Sequence, residues 1–391
     1  MAPPRLLICC NSLAYFLNHR LAPAVLARRE GFEVHVAAKA DIDPAALSQH
    51  GITVHPIAIA RHRLALLADL RAIFAVRRLV RALAPDAVHA ITMKAALVTL
   101  AAAPRDAPAR LIVTFPGLGR IFSDPRGPWP MLRRRIVMAL LRIFFRRHAG
   151  ALATFENAAD RDTLVAANII ARDRTAVLRG TGIDLARFTP GPSGNGEEAR
   201  PPSVLFAGRL LRQKGIAEFL HAARSYLRQR GERGWPPARF SVAGEPDSGN
   251  RDSIGKSELD ALCAGTEIAF LGQVRDMPSL LRRTDILCLP TRYGEGLPRI
   301  LLEAAACAVP AVASDVAGCR EIVIDGETGR LVPPADAEAL LAALGELIAA
   351  PELRQRMGRN ARRHVEEGGF DEESIAAAFL ALYRGGSRRR E

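Results

Sequence analysis

Thr291-Arg-Tyr-Gly-Glu-Gly-Leu-Pro-Arg-Ile-Leu-Leu-Glu-Ala-Ala-Ala-Cys-Ala-Val-Pro310 is the stretch on which the reading of this chain turns. It follows the apolar run Asp285-Ile-Leu-Cys-Leu-Pro290, which reads as a buried strand closed by proline. A short glycine-flanked loop carries Glu295, and Pro298 suits the first position of a helix, where a missing N–H costs nothing. Helical side chains lean toward the N-terminus, so Glu303 is expected to point back at the Glu295 loop. Two carboxylates and several backbone N–H groups then meet at one helix start. Carboxylates accept from hydroxyls and helix N-termini bind phosphate. The loop suits a ligand that carries both.

A second loop upstream supplies positive charge. Ser203-Val-Leu-Phe-Ala-Gly-Arg-Leu-Leu-Arg-Gln-Lys-Gly215 reads as a strand, a glycine turn with Arg209 and Lys214, and a helix from about Ile216. Arginine offers phosphate a planar fork of donors and lysine a compact point charge. The chain has only four lysines against fifty arginines, so a lysine in this loop stands out.

Taken together, Gly208-Arg209, Lys214-Gly215, Gly294-Glu-Gly-Leu-Pro298, Glu303, Pro310 and Gly318-Cys-Arg-Glu-Ile-Val-Ile-Asp-Gly-Glu-Thr-Gly329 resemble family 4 of the retaining glycosyltransferases. The resemblance runs from about Val204 to Ala343. It continues more weakly through Phe16-Leu-Asn-His-Arg20, His89 and Thr114-Phe-Pro-Gly-Leu-Gly-Arg-Ile-Phe-Ser123, which are similar to the branch that builds bacterial surface polysaccharides on lipid carriers. It implies an α/β chain of GT-B architecture, two Rossmann-like domains facing across a cleft. It also implies a retaining, metal-independent transfer of a sugar from a nucleotide donor, expected to be UDP-linked and with an N-acetylhexosamine as one candidate sugar. The implied acceptor is a lipid-diphosphate-linked glycan of lipopolysaccharide, capsule or exopolysaccharide synthesis.

Carried over residue by residue, the family pattern makes Arg209, Lys214 and Glu295 the catalytic set. Glu303 would bind the ribose hydroxyls and Glu295 the sugar hydroxyls or anomeric region. The backbone of Gly208, Gly296 and Leu297 would lie along the phosphates, and Val274-Arg275 against the base. Acceptor-side candidates are Asn11, His19, Arg20, His89, Lys94 and Gly117. The chain departs from the family in two places: Pro116 stands where many relatives carry a histidine, and Asn11-Ser12 replaces a Gly-Gly loop. A histidine acting from position 116 is therefore excluded, which leaves His19 and His89 as the nearest substitutes. Each also reads as a hydrogen-bonded structural histidine.

Size and patterning agree with that architecture. At 391 residues and 49% hydrophobic, the chain is long enough for two cored domains. Strands are expected at 5–10, 33–38, 53–57, 87–90, 110–115, 150–154 and 174–178, then at 203–207, 238–243, 268–271, 286–289, 311–314 and 329–332. Alternation with helical patterns favours α/β. The expected division is an N-terminal acceptor domain over 1–189, a linker over 190–202, and a nucleotide-sugar domain over 203–369. A helix packing back on the N-terminal domain and a basic tail follow over 370–391.

No cofactor and no metal are expected. Asp41-Ile-Asp43 is the one Asp-x-Asp match, and it precedes Pro44 at a helix start, where capping explains it. The six cysteines have no zinc-like spacing and suit a reducing cytosol. No apolar run approaches the ~18 residues of a membrane span. The reading is a cytoplasmic protein, peripheral on the inner face of the plasma membrane.

The net charge of +13 lies entirely in residues 1–200, which hold 28 Lys+Arg and 15 Asp+Glu; residues 201–391 hold 26 of each. Such asymmetry points to an anionic partner. Nucleic acid is disfavoured, with 5% aromatic residues and no binding motif, which leaves an anionic membrane or the lipid diphosphate. The segment Met131–Arg147 joins six arginines to apolar residues spread nearly all round the helix. It reads either as a buried domain helix with snorkelling arginines or as a helix resting in anionic headgroups. The helix expected over Leu64–Leu83 reads as an ordinary surface helix. Two alternatives in other classes are a sugar-nucleotide 2-epimerase of the same architecture and a non-catalytic basic lipid- or nucleic-acid-binding protein.

Overall fold

The computed structural model describes residues 2–59, 66–105, 109–119, 122, 128–191, 200–247, 250 and 252–385. The chain divides into two compact units, Met1–Gly182 joined by the segment from Glu372, and Ile183–Asp371. Among the described residues thirteen strands form, and each lies within two residues of an expected position.

The first unit holds β1 (Arg5–Cys9), β2 (Glu33–Ala38), β3 (Thr53–Pro56), β4 (Ala87–Ile91), β5 (Arg110–Phe115), β6 (Leu152–Phe155) and β7 (Thr175–Val177) in one parallel sheet of order β3-β2-β1-β4-β5-β6-β7. The alternation of β1 explains why both faces are covered. Leu6 and Ile8 enter a core on one side, while Leu7 and Cys9 enter a core on the other. The first of these cores is completed from far along the chain. Helix Glu372–Arg384 sends Ile375, Phe379, Leu380 and Tyr383 into it, beside helix Leu21–Arg29. The opposite face is covered by helices Leu66–Leu83, Met93–Ala102 and Pro128–Arg147, with the middle helix touching both others.

The second unit holds β8 (Ser203–Ala207), β9 (Arg239–Ala243), β10 (Ala269–Gly272), β11 (Ile286–Leu289), β12 (Ala311–Ser314) and β13 (Gly329–Val332), also parallel, in the order β10-β9-β8-β11-β12-β13. Val204 and Phe206 bury on one face, Leu205 and Ala207 on the other. Numbered within each unit, both sheets run 3-2-1-4-5-6, and the first adds a seventh strand at its edge. In such a sheet the order reverses between strands 1 and 4, and ligands bind beyond the strand ends at that switch point.

Two boundaries differ from the sequence reading. The units part at Gly182–Ile183, upstream of 190–202, because Ile183 and Phe188 are buried in the core of the second unit. Residues 192–199 of that expected linker, and 386–391 of the expected tail, lie outside the described residues. The helix after Glu295 begins at Arg299, and Pro298 sits at its cap with an extended ψ of 110°. Its ring lacks the N–H either way. The start expected at Leu64 lies outside the described residues; from Leu66 the helix lies at the surface and leaves Leu66, Leu67, Leu70 and Phe74 exposed, more apolar surface than that reading anticipated. Among the described residues no helix is long and apolar enough to cross a membrane.

Candidate active site

At the switch point of the second unit, the loop after β8 and the loop after β11 are fastened to each other. Gly215 has φ +78°, and a Cβ there would come within 1.8 Å of the Pro290 carbonyl oxygen. Only glycine allows that approach. The Gln213 carbonyl accepts from the Thr291 hydroxyl at 3.0 Å and from the Arg292 N–H at 2.9 Å, with Thr291 almost wholly buried. These contacts set Lys214 against Glu295, and the two form an ion pair with only a fifth or less of either side chain exposed. Arg209, half-exposed, donates to Asp247 at 3.1 Å. Buried Glu218 holds Arg292 at 2.5 Å from the helix that follows Gly215.

The Glu295 loop is supported from below. A Cβ on Gly318 would meet the Gly296 carbonyl oxygen at 2.0 Å and that of Glu295 at 2.5 Å. Both carbonyls therefore face the helix Ala317–Arg320. In a trans peptide the N–H points opposite the carbonyl, so the N–H groups of Gly296 and Leu297 are directed away from that helix. The next helix, Arg299–Ala306, has no side-chain cap at its start. The backbone donors of its first turn thus present a partial positive charge there.

Within that helix Glu303 accepts from Arg299 at 2.9 Å. Burial raises the Glu303 carboxyl above its ordinary value, although Arg299 and Arg187 pull the other way. Val274 packs into the core of the unit and Arg275 is exposed, in the loop between β10 and helix Met277–Leu281. Asp276 caps that helix by accepting from Ser279 N–H at 3.2 Å. Every donor-side residue proposed from sequence therefore belongs to this one unit, on the loops after β8, β10 and β11 or, for Glu303, on the helix Arg299–Ala306. Asp247, Thr291 and the packing role of Gly318 were not anticipated. Gly318 lay inside the quoted motif, but a glycine reveals its neighbour only in three dimensions.

The first unit sorts its candidates differently. Asn11 follows β1 and accepts from the Thr92 hydroxyl at 2.9 Å; Thr92 follows β4. Thr92 has φ +89°, a costly conformation for a β-branched residue, and caps helix Met93–Ala102. Lys94, in the first turn, pairs with Asp69, both largely buried. Gly117 follows β5 with φ +142°. His19 is half-buried with its ring 4.8 Å from that of Tyr15.

Two candidates are corrected. Arg20 is 2% exposed, bonded to Glu156 at 2.6 Å and to the Gly180 carbonyl at 3.1 Å, with its guanidinium over Phe379. It ties segments of the unit together instead of presenting itself to an acceptor. His89 is likewise internal. Its Nδ1 meets the Tyr383 hydroxyl at 2.9 Å and its Nε2 the Thr114 hydroxyl at 2.6 Å. Burial, and then the charge of Arg20, push its pKa down to about 3. Neither ring nitrogen is left to serve as a base. The Asp-x-Asp pair is also structural: Asp43 accepts from Ala45 N–H at 2.9 Å and Asp41 from Ala14 N–H at 3.1 Å. Residues 120, 121 and 123 of the Thr114–Ser123 segment lie outside the described residues.

The chain matches two family models. Residues 20–181 match the glycosyl transferase 4-like domain, and residues 192–364 match the glycosyl transferases group 1. It is 35% identical over 210 residues to the lipopolysaccharide core biosynthesis mannosyltransferase LpcC of Rhizobium leguminosarum bv. viciae, across 52% of this chain and 57% of that one. It is 27% identical over 277 residues to the N,N'-diacetylbacillosaminyl-diphospho-undecaprenol alpha-1,3-N-acetylgalactosaminyltransferase of Campylobacter jejuni, across 68% of each. The chain thus spans little more than half the length of the first of these relatives. Anabaena HepE, solved in complex with UDP, superposes with a TM-score of 0.75 at 20% identity, over 98% of this chain and all of the other. That likeness establishes the fold.

Proposed function

The chain belongs to the family-4 glycosyltransferases of GT-B fold, and from that premise we propose that it moves a sugar from a UDP-linked donor to a lipid-diphosphate-linked glycan, with retention of configuration and without a metal. The observation that carries the reading is the clamped pair of loops at the second switch point. It sets Lys214 against Glu295 and Arg209 against Asp247, on loops that lead to a helix start without a side-chain cap. The chemistry needs charge to meet the departing diphosphate, and preorganised cations and N–H groups supply it.

Glu295 and Asp247 hold Lys214 and Arg209 in place until the donor's phosphates compete for them. Glu303 takes the ribose hydroxyls. Glu295, released from Lys214, faces the sugar near its anomeric carbon. The acceptor oxygen attacks from the face that the diphosphate leaves, and its proton passes to a diphosphate oxygen. That the HepE structure contains UDP supports a UDP donor, and the names of the Rhizobium and Campylobacter proteins support a lipid-linked acceptor of surface polysaccharide. The acceptor side is assigned to Asn11, Lys94 and Gly117 of the first unit, with the protein peripheral on the inner membrane surface.

The test is release of nucleoside diphosphate from a panel of nucleotide sugars, with membrane extract as acceptor and with EDTA present. Turnover of a UDP-sugar that survives EDTA and needs the extract is the expected result. A strict requirement for Mg²⁺ or Mn²⁺ would overturn the metal-free mechanism, and an altered donor sugar without transfer would favour the epimerase.

A further inference from the structure

Two helices of the first unit each carry a second apolar stripe, opposite the one that packs on the sheet. In helix Leu66–Leu83, Ala72, Val76 and Val80 face the core. Leu66, Leu70 and Phe74, spaced by four, and Leu67 beside them stand out on the other side, with Leu67 74% and Phe74 67% exposed. In helix Pro128–Arg147 the buried stripe is Val137, Leu141 and Phe145. Its outward stripe is Trp129, Leu132, Ile136 and Ile143, with Trp129 75% exposed. This resolves the sequence pattern of that helix: apolar residues surround it because it has two apolar faces, of which one is unburied.

The charges beside these stripes have one sign. Arg71, Arg78 and Arg81 are exposed on the first helix, and Arg133, Arg135 and Arg146 on the second. The second helix has no acidic residue, and the single one of the first, Asp69, pairs with Lys94. Both helices lie on the same face of the sheet, with Met93–Ala102 between them. The geometry points to this face as an insertion surface for an anionic lipid bilayer, in which two parallel apolar ridges enter the acyl boundary and the flanking arginines hold the headgroups.

The surface refines the membrane part of the proposed function, yet it concerns residues outside the donor site and can fail without that reading failing. It also reassigns the arginines. Arg142, which the charge pattern alone would group with Arg135 and Arg146, donates to the Ala167 carbonyl at 2.6 Å and holds the fold.

The test uses the full chain and vesicles of phosphatidylglycerol and phosphatidylcholine, read by flotation across a salt series. The pairs Leu70→Glu with Phe74→Glu, and Ile136→Glu with Ile143→Glu, are each expected to lower partitioning at least tenfold at high and low salt. Arg133, Arg135 and Arg146 changed together to Gln should lower it mainly at low salt, where surface charge is unscreened. Lipids brominated on their acyl chains should quench wild-type fluorescence but not that of Trp129→Phe, since the other tryptophan, Trp235, is stacked on Tyr226. If a Glu pair unfolds the protein, the Ser pair at the same positions replaces it, and nucleotide release by the soluble variants reports that the donor site is intact. Wild-type protein that ignores these vesicles, Glu pairs that float like wild type, or unquenched Trp129 would each overturn the proposal. Sedimentation in which the Glu pairs turn a dimer into a monomer, with no vesicle binding, would assign the face to a second copy of the chain instead.

Discussion

The two units share a strand order and a switch point, and spend their polar residues there in opposite ways. In the second unit the loops after β8 and β11 carry charged side chains in ion pairs: Lys214 with Glu295 across the two loops, Arg209 with Asp247, and Glu303 with Arg299 on the helix that follows. In the first unit the polar residues nearest the equivalent strands turn inward. His89 on β4 is locked between Tyr383 and Thr114, and Arg20 is buried on Glu156. Beyond those strand ends lie a buried Asn11 bonded to Thr92, a strained Thr92 and a Lys94 already paired. The same backbone topology thus serves a charged, adaptable site in one case and a polar, cross-braced core in the other. Topology fixes where a site can form; loop chemistry decides whether charge collects there.

Four changes would break or sharpen this contrast. The largest effect is expected at the charged switch point. Lys214→Ala should cost about 2–4 kcal/mol of transition-state stabilisation, the scale of one preorganised donor, with Arg209→Ala close to it. Steady-state kcat/KM measures both, and near-wild-type values in each variant would remove the charged site from the mechanism.

Glu303→Gln should act on binding more than on chemistry, raising the donor KM by the equivalent of about 1.5–3 kcal/mol, the worth of hydrogen bonds to a charged acceptor. It also carries a stability signature. The folded carboxyl is raised above its unfolded value by burial, so its contribution is present below the unfolded pKa and is lost as pH rises through the folded one. The melting temperature of wild type relative to the Gln variant should therefore fall as pH rises out of the ordinary carboxyl range. A fall in kcat with unchanged KM would mean that Glu303 and Glu295 exchange roles.

In the first unit the consequence is for stability alone. The folded pKa of His89, about 3, lies below the ordinary value of ~6.5. The unfolded chain therefore binds the extra proton, and stability present above pH 6.5 is lost as pH falls toward 3. At pH 5 the loss from this group is about 2 kcal/mol. The melting advantage of wild type over His89→Gln should shrink between pH 7 and pH 5. Parallel curves would show His89 to be solvated and open to an acceptor after all.

The smallest expected change is at the clamp. Thr291→Val removes one donor from the Gln213 carbonyl, a loss of about 1 kcal/mol. If the clamp positions Lys214, kcat should drop several-fold together with a small fall in Tm, and Thr291→Ser should restore both. A drop in Tm alone would make Thr291 a packing residue.

The fold was legible because buried parallel strands are short apolar runs punctuated by glycine, proline and turn residues. All thirteen strands announce themselves in that way. The joined loops after β8 and β11 were legible because their residues sit within one segment each. His89 and Arg20 were misread for the opposite reason. Their partners, Tyr383, Glu156 and Gly180, lie far along the chain, and no local pattern reports a side chain that turns toward them. The exposed ridge at Leu66–Phe74 was missed because periodicity identifies apolar stripes but not which of two stripes faces water. The boundary at Gly182–Ile183 was hidden similarly, since Ile183 and Phe188 join a core assembled from later residues.

The helix Glu372–Arg384 has a consequence for how the protein is made. A ribosome delivers the first sheet early, yet Leu6, Ile8, Phe16 and Val36 must wait for Ile375, Phe379 and Tyr383 before their core is closed. The second unit, contiguous in the chain, is translated in full during that wait and can reach its native state first. Chains cut short before Glu372 would carry an intact second unit fused to an open hydrophobic sheet, a natural substrate for chaperones and proteases. The first core therefore closes only after Tyr383 has been made, later than every residue of the second unit.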